Sequence, residues 1–278
     1  MFYLQLRNEL WKLFGKKRTY IGFAMFLLAQ NAIIILLRVT HRTQWITREL
    51  EMNGFDPKRY ITVLTISTVM VTAMAFTLLP LYTALVGGDM VAKEAEDGTL
   101  RMILSRPISR LRLILLKWTA GGVFSVVLVF SLGMFGLLFT SFWYPWGDLF
   151  SVPGPLPFGT FDAAEGFRCY VMGHLCMVPK AFTVMTLAFM FSCFNMKPAA
   201  ATILALSVMF ISRVMQDMPF FLDYQSYFIT YDMDIWREAF AHKIAWWKIG
   251  ESFSLLAAYN LSFLIIGATV FQMRDVKS

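Results

Sequence analysis

Nine charged side chains, Asp89, Lys93, Glu94, Glu96, Asp97, Arg101, Arg106, Arg110 and Arg112, crowd the stretch 87–112, which long apolar runs bound on both sides. Charges of both signs at that density cannot lie in hydrocarbon, so they meet either water or the surface of another protein. Lys180 stands ten residues into a different apolar run that begins at Tyr170. At that depth a lysine is costly unless it snorkels to the interface or faces a watery cavity, which makes it a candidate for a translocation pathway. Gln30 and Asn31 lie inside the first apolar run. Amides there act as hydrogen-bonding glue between helices or as contacts for a passing solute.

Residues for covalent or hydrolytic chemistry are not assembled in the sequence. His174 has no second His, Cys or carboxylate at metal-ligand spacing, so it reads as a structural histidine and no metal is expected. Cys169, Cys176 and Cys193 are odd in number, fall in or beside an apolar run and read as small buried hydrophobes. No Gly-x-x-x-x-Gly-Lys-Ser/Thr is present, so the chain does not cradle ATP phosphates by itself.

The elements that must position these groups are membrane helices. With 278 residues, 58% of them hydrophobic, only 15% charged and a mean hydropathy of +0.59, the chain is too apolar for a soluble fold. Six apolar runs, 20–37, 60–86, 113–142, 170–194, 199–214 and 252–271, predict an all-α membrane protein of six transmembrane helices in a single domain, 1–278. Residues 1–19 carry an apolar stripe, Phe2, Leu6, Leu10, Leu13 and Phe14, with basic residues mostly on the other side. That pattern predicts a helix lying in the headgroup plane rather than a cleavable signal. Pro80 predicts a kink in the second run, and Ala201, Ala205 and Ser212 a small-residue stripe suited to a subunit contact. In 213–251, the alternation and tryptophans of 235–249 predict a further interfacial helix.

The net charge of +7 is distributed around the ends of apolar runs, with no basic face interleaved with aromatics. Anionic lipid headgroups are the implied partner, and nucleic acid is not. With six spans, the side holding both termini and 87–112 has fourteen Lys and Arg against ten on the other. The stretch 143–167 has none at all, and together these place the termini in the cytoplasm.

Within 87–112, Asp97 and Thr99 are capping residues, Gly98 permits a bend, and 100–105 can form under two helical turns before Pro107 stops them. Ser109 can then cap the next helix. The order Glu94, Glu96, Gly98-Thr99-Leu100, Ser105, Pro107, Ser109-Arg110 and Lys117 resembles the first cytoplasmic loop of type-2 ABC transporter permease subunits. Arg112 departs from it, standing where an acidic residue would complete a capping box with Ser109. The carboxyl end, a span followed by Phe271 and Arg274-Asp275, is also similar to the family's.

The resemblance implies that 1–19 is an elbow helix and that 87–112 is a cytoplasmic coupling loop whose short helix docks on an ATPase. Glu94, Glu96, Gly98, Thr99, Arg101 and Arg106 would be its coupling residues. It further implies a separate ABC ATPase subunit that binds the ATP and magnesium, this chain binding neither. A second copy of the permease or a paralogue would complete the pathway, for export across a bacterial inner membrane.

Two other classes compete. Asp97-Gly98 with Arg101 is similar to the opening of the Asp-Gly-x-x-Ala-Arg motif of intramembrane phosphatidyl-group transferases. Leu100 replaces the alanine, however, and 107–117 contains no carboxylate. A passive channel or membrane anchor is the third class, and it has no need for a structured loop bearing both signs of charge.

Overall fold

A computed structural model describes residues 2–39, 44–105, 108–151 and 159–274. The sequence opens with α1 (Phe2–Gly15), whose Leu13 is buried and whose Phe14 ring packs 5.9 Å from that of Phe124. One residue later α2 (Lys17–Val39) departs, and the corner is tied where the Thr19 hydroxyl donates to the Leu13 carbonyl at 2.6 Å. Two short helices follow, α3 (Gln44–Met52) and α4 (Pro57–Tyr60), the second capped by Asp56, which accepts from the Lys58 amide.

The second apolar run is not one straight helix. It comprises α5 (Val63–Phe76), capped by Thr62, and α6 (Leu78–Glu96), bent by 44° at Thr77. The break falls one turn before Pro80, because proline has no amide hydrogen to offer the Phe76 carbonyl and its ring crowds that same carbonyl. Nor does the helix stop at Val86. It carries on through Gly87 and Gly88 to Glu96, so the first ten residues of 87–112 are helix rather than loop. A glycine is required at 87, where a Cβ would sit 2.3 Å from the Met185 carbonyl oxygen.

After α7 (Thr99–Leu104) comes α8 (Arg110–Ser141), then a small antiparallel hairpin of β1 (Leu149–Ser151) and β2 (Gly159–Phe161), absent from the sequence expectation. The hairpin leads into α9 (Ala163–Ser192), and a tight turn into α10 (Pro198–Asp217), with Pro198 in the first helical turn. The return path consists of a 3-10 stretch (Pro219–Tyr227), α11 (Ile229–Met233) and a second 3-10 stretch (Ile235–Phe240). It ends in α12 (Trp246–Met273). The helix expected over 235–249 is therefore divided, and its first half is not interfacial. Trp236 and Phe240 are buried in the bundle, while the exposed Trp246 and Trp247 open the last span.

Five helices, α2, α8, α9, α10 and α12, are each long and apolar enough to cross a membrane, and the bent α5–α6 pair passes the same test when taken as one span, giving up to six among the described residues. The axis of the bundle is α9. Its hydrophobic window is 72% buried, against 22–39% for the other four long helices, and α6, α8, α10 and α12 all pack on it. Lipid tails are as apolar as leucine, so close packing and hydrogen bonds hold such helices together. An example is the Asn260 amide on α12, which donates to the Thr183 hydroxyl on α9 at 2.8 Å. Ala201 and Ala205 also face inward and are fully buried, so the small-residue stripe serves packing within the chain instead of a subunit contact.

Gly87→Ala is expected to push α6 off α9 and lower stability by about 1–3 kcal/mol. Gly250→Ala, whose new methyl meets nothing within 4 Å, is the matched control. Melting temperatures in one detergent compare the two, and equal values would refute the close-contact account.

Candidate functional site

Helix α6 ends at Asp97, and Gly98, at φ 71° in the left-handed region, reverses the chain into α7. A side chain at Gly98 would meet no atom, so the glycine is there for its backbone and not for space. Gly98 itself occupies the position ahead of α7, and neither Asp97 nor Thr99 caps that helix with its side chain. Instead the Thr99 hydroxyl donates back to the Glu94 carbonyl at 3.2 Å, which satisfies an end group of α6 and braces the corner. On α7, Leu100 is buried as an anchor, while Arg101 and Met102 are exposed. Ser109 caps α8 by accepting from the Arg112 amide at 3.3 Å, so Arg112 is compatible with that cap. Arg106 lies outside the described residues.

Of the residues expected at the docking face, Glu96 stands outward beside Lys93, which donates to it at 2.8 Å and lies 3.1 Å from Asp97. Glu94 turns the other way. Its carboxylate is 2.7 Å from the Lys117 ammonium of α8, which also meets Glu9 of α1 at 3.0 Å, and Lys12 closes the set on Glu9 at 2.6 Å. Two carboxylates and two ammonium groups thus join α1, α6 and α8. The Lys117 side chain is only 3% exposed. Burial pushes the Glu9 carboxyl up, but Lys117 and Lys12 outweigh it and hold the group below its ordinary value.

This network escaped the sequence reading, because Glu9 and Lys117 are more than a hundred residues apart. A detectable signal was Lys117 itself, placed eight residues into an apolar helix without a nearby acid in sequence. Around the same end, Arg18 pairs with Asp89 at 2.5 Å. Arg110 donates to the carbonyls of Gln272 and Arg274 at 3.0 and 2.8 Å, a cation at the C-terminus of α12. A groove of about 860 Å³ remains between the α1–α2 corner, at Trp11, Lys16, Lys17 and Arg18, and the α6–α7 corner at Asp97, Thr99 and Met102.

The three residues proposed for a pathway take separate partners. Gln30 donates to the Leu132 carbonyl of α8 at 2.9 Å, and Asn31 to Leu27 of its own helix at 2.8 Å, both structural roles. Lys180 does not snorkel; it is buried and meets Asp234 of the returning segment at 2.7 Å. Burial pushes the Asp234 carboxyl up, yet Lys180, Arg237 and Arg213 together hold it below the usual carboxylate range. His174 donates from Nδ1 to the Tyr170 carbonyl at 2.7 Å, as a structural histidine does. Among the described residues no group of three His, Cys, Asp or Glu is placed to hold a metal ion, and Asp97 pairs with Lys93 at the exposed corner.

Lys117→Met would leave two carboxylates sharing one ammonium and is expected to cost about 3 kcal/mol. Adding Glu9→Gln and Glu94→Gln should recover most of the loss, and thermal unfolding of the single and triple variants decides it. Because Glu9 titrates below 4.5 in the folded chain, its contribution is complete above pH 4.5 and is lost as the pH falls below that value. In Glu9→Gln that part of the acid sensitivity disappears.

No curated protein matches the chain. The profile of the family described as ABC-2 family transporter protein matches residues 29–276, nearly the whole length and all the membrane-crossing helices except the start of α2. An ATPase of the ABC type is the partner that this family implies for its membrane-spanning component. The chain therefore belongs to the ABC-2 transporter family, as a multi-pass permease subunit of an ABC transporter.

Proposed function

We propose that this permease converts force from a separate ABC ATPase into export across a bacterial inner membrane. The observation that carries the reading is a lever. Helix α6 runs unbroken from the bend at Thr77 to Glu96, and Gly98 then turns the chain sharply into the exposed α7. A load on α7 is carried along α6 to the bend, where the missing proline hydrogen bond leaves a hinge. The Lys117 cluster makes α1 and α8 move with that lever.

In this reading Glu96, Thr99, Arg101 and Arg106 meet the ATPase. Gly98 sets the angle of α7, and Glu94 transmits load inward instead of touching the partner. ATP and magnesium stay on the ATPase. Both termini and α7 lie in the cytoplasm, lipids surround the bundle, and a second copy or a paralogue completes the pathway. Charge favours this arrangement, since the stretch 143–167 carries no Lys or Arg.

The test co-expresses the chain with its ATPase and measures co-purification, ATP turnover and labelling of a cysteine placed at Met102. The wild type should co-purify and raise turnover, and Thr99→Arg with Met102→Asp should reduce that stimulation at least tenfold while the melting temperature holds. Labelling of the cysteine by exterior reagents alone, or unchanged stimulation in the double variant, would overturn the reading.

A further inference from the structure

At the end of the bundle opposite α7, one buried carboxylate faces three cations. Asp234 lies 2.7 Å from Lys180, 2.6 Å from Arg213 and 3.4 Å from Arg237. The second acid in reach, Asp217, is largely exposed and pairs only with Arg213, at 2.8 Å. Even with both acids counted, the cluster keeps one uncompensated positive charge, and Nε of Arg237 is buried without a hydrogen-bond partner. All three cations also stand over the ring of Phe76, at 4.5, 5.3 and 4.7 Å from its centre. One aromatic face offsets a part of such a charge and does not replace an anion.

Beside the cluster is a cavity of about 360 Å³, within the range of small-molecule pockets. Lys180, Arg213 and Asp234 form its polar end. Thr77 and Thr230 aside, the remainder is apolar, including Phe76, Pro80 and Leu81 from the α5–α6 bend and Leu206, Met209 and Phe210 from α10. Phe210 and Leu81 are 70% and 46% exposed, on the flank of the bundle that meets lipid. Depth fits as well. The 20 residues of α10 rise about 30 Å, and Arg213 stands four residues, about 6 Å, from the end of that helix, a distance its long side chain can cover toward the headgroups.

We infer that this cavity binds an anionic phospholipid of the leaflet opposite α7, its phosphate against Lys180 and Arg213, with Arg237 behind them adding positive charge, and its first acyl segment along Phe210 and Leu81. Entry is lateral, from the bilayer. The inference requires no ATPase and stands or falls separately from the coupling role of α7.

The test uses the full chain in nanodiscs and in detergent, with phosphatidylglycerol, phosphatidylethanolamine and inorganic phosphate as probes, read by native mass spectrometry and thermal shift. One phosphatidylglycerol per chain should be retained with at least tenfold preference over phosphatidylethanolamine, and phosphate alone should not raise the melting temperature. Lys180→Gln leaves Asp234 paired with both arginines and should abolish the preference. Leu206→Trp fills the cavity without touching a charge and should displace the lipid, so a fold-sensitive cluster does not leave the inference untested. Equal retention of the two lipids, stabilisation by phosphate to the same extent, or an undiminished preference in a folded Lys180→Gln or Leu206→Trp chain would each overturn it.

Discussion

An ionised side chain stays in an apolar bundle only where the protein supplies its counter-charge, and two clusters of this kind fix how the helices of this chain meet. At one end Lys117 holds α1, α6 and α8 together through Glu9 and Glu94. At the other, Asp234 draws the returning segment onto α9 and α10 through Lys180 and Arg213. Side-chain hydrogen bonds assist there, Thr230 donating to Gln216 and Ser252 to Asp232. Between the two ends the contacts are steric, as where Gly87 lets α6 touch the backbone of α9. Charge selects the partners, and packing sets the distance between them.

Much of this architecture was legible in sequence because hydrophobic length is a local property. The apolar runs map onto observed helices, the second onto the bent α5–α6 pair, and overrun their ends by at most three residues; the Pro80 kink appears one turn before the proline, and Ser109 caps α8. Errors occur where a tertiary contact overrides a local signal. Gly87 and Gly88 resemble a loop but sit in a helix pressed against α9, and Trp236 has the periodicity of an interfacial anchor but is core. Glu94 looked like a docking residue because its charge argues for exposure, whereas its counter-ion is supplied by α8. The β1–β2 hairpin has only three residues in each strand, too few for alternation to be read.

The same distinction separates the two clusters as functional signals. The corner at Gly98 is a local feature, set by one glycine and its flanking charges, and a family resemblance can find it. The cluster at Asp234 exists only once α5, α9, α10 and the returning segment are together. Lys180 alone pointed to it from the sequence; neither Asp234 nor the ring of Phe76 did.

The returning segment also joins helices made before it to one made after it. It lies between α10 and α12 in the chain, yet its anchors, Trp236 and Asp234, rest on α9, and its Asp232 needs Ser252 from α12. Its ties to α9 and α10 are to helices that precede it in the chain, and the tie to Ser252 is to the helix that follows. Until Asp234 has been made, 54 residues after Lys180, the central helix has no carboxylate for its lysine.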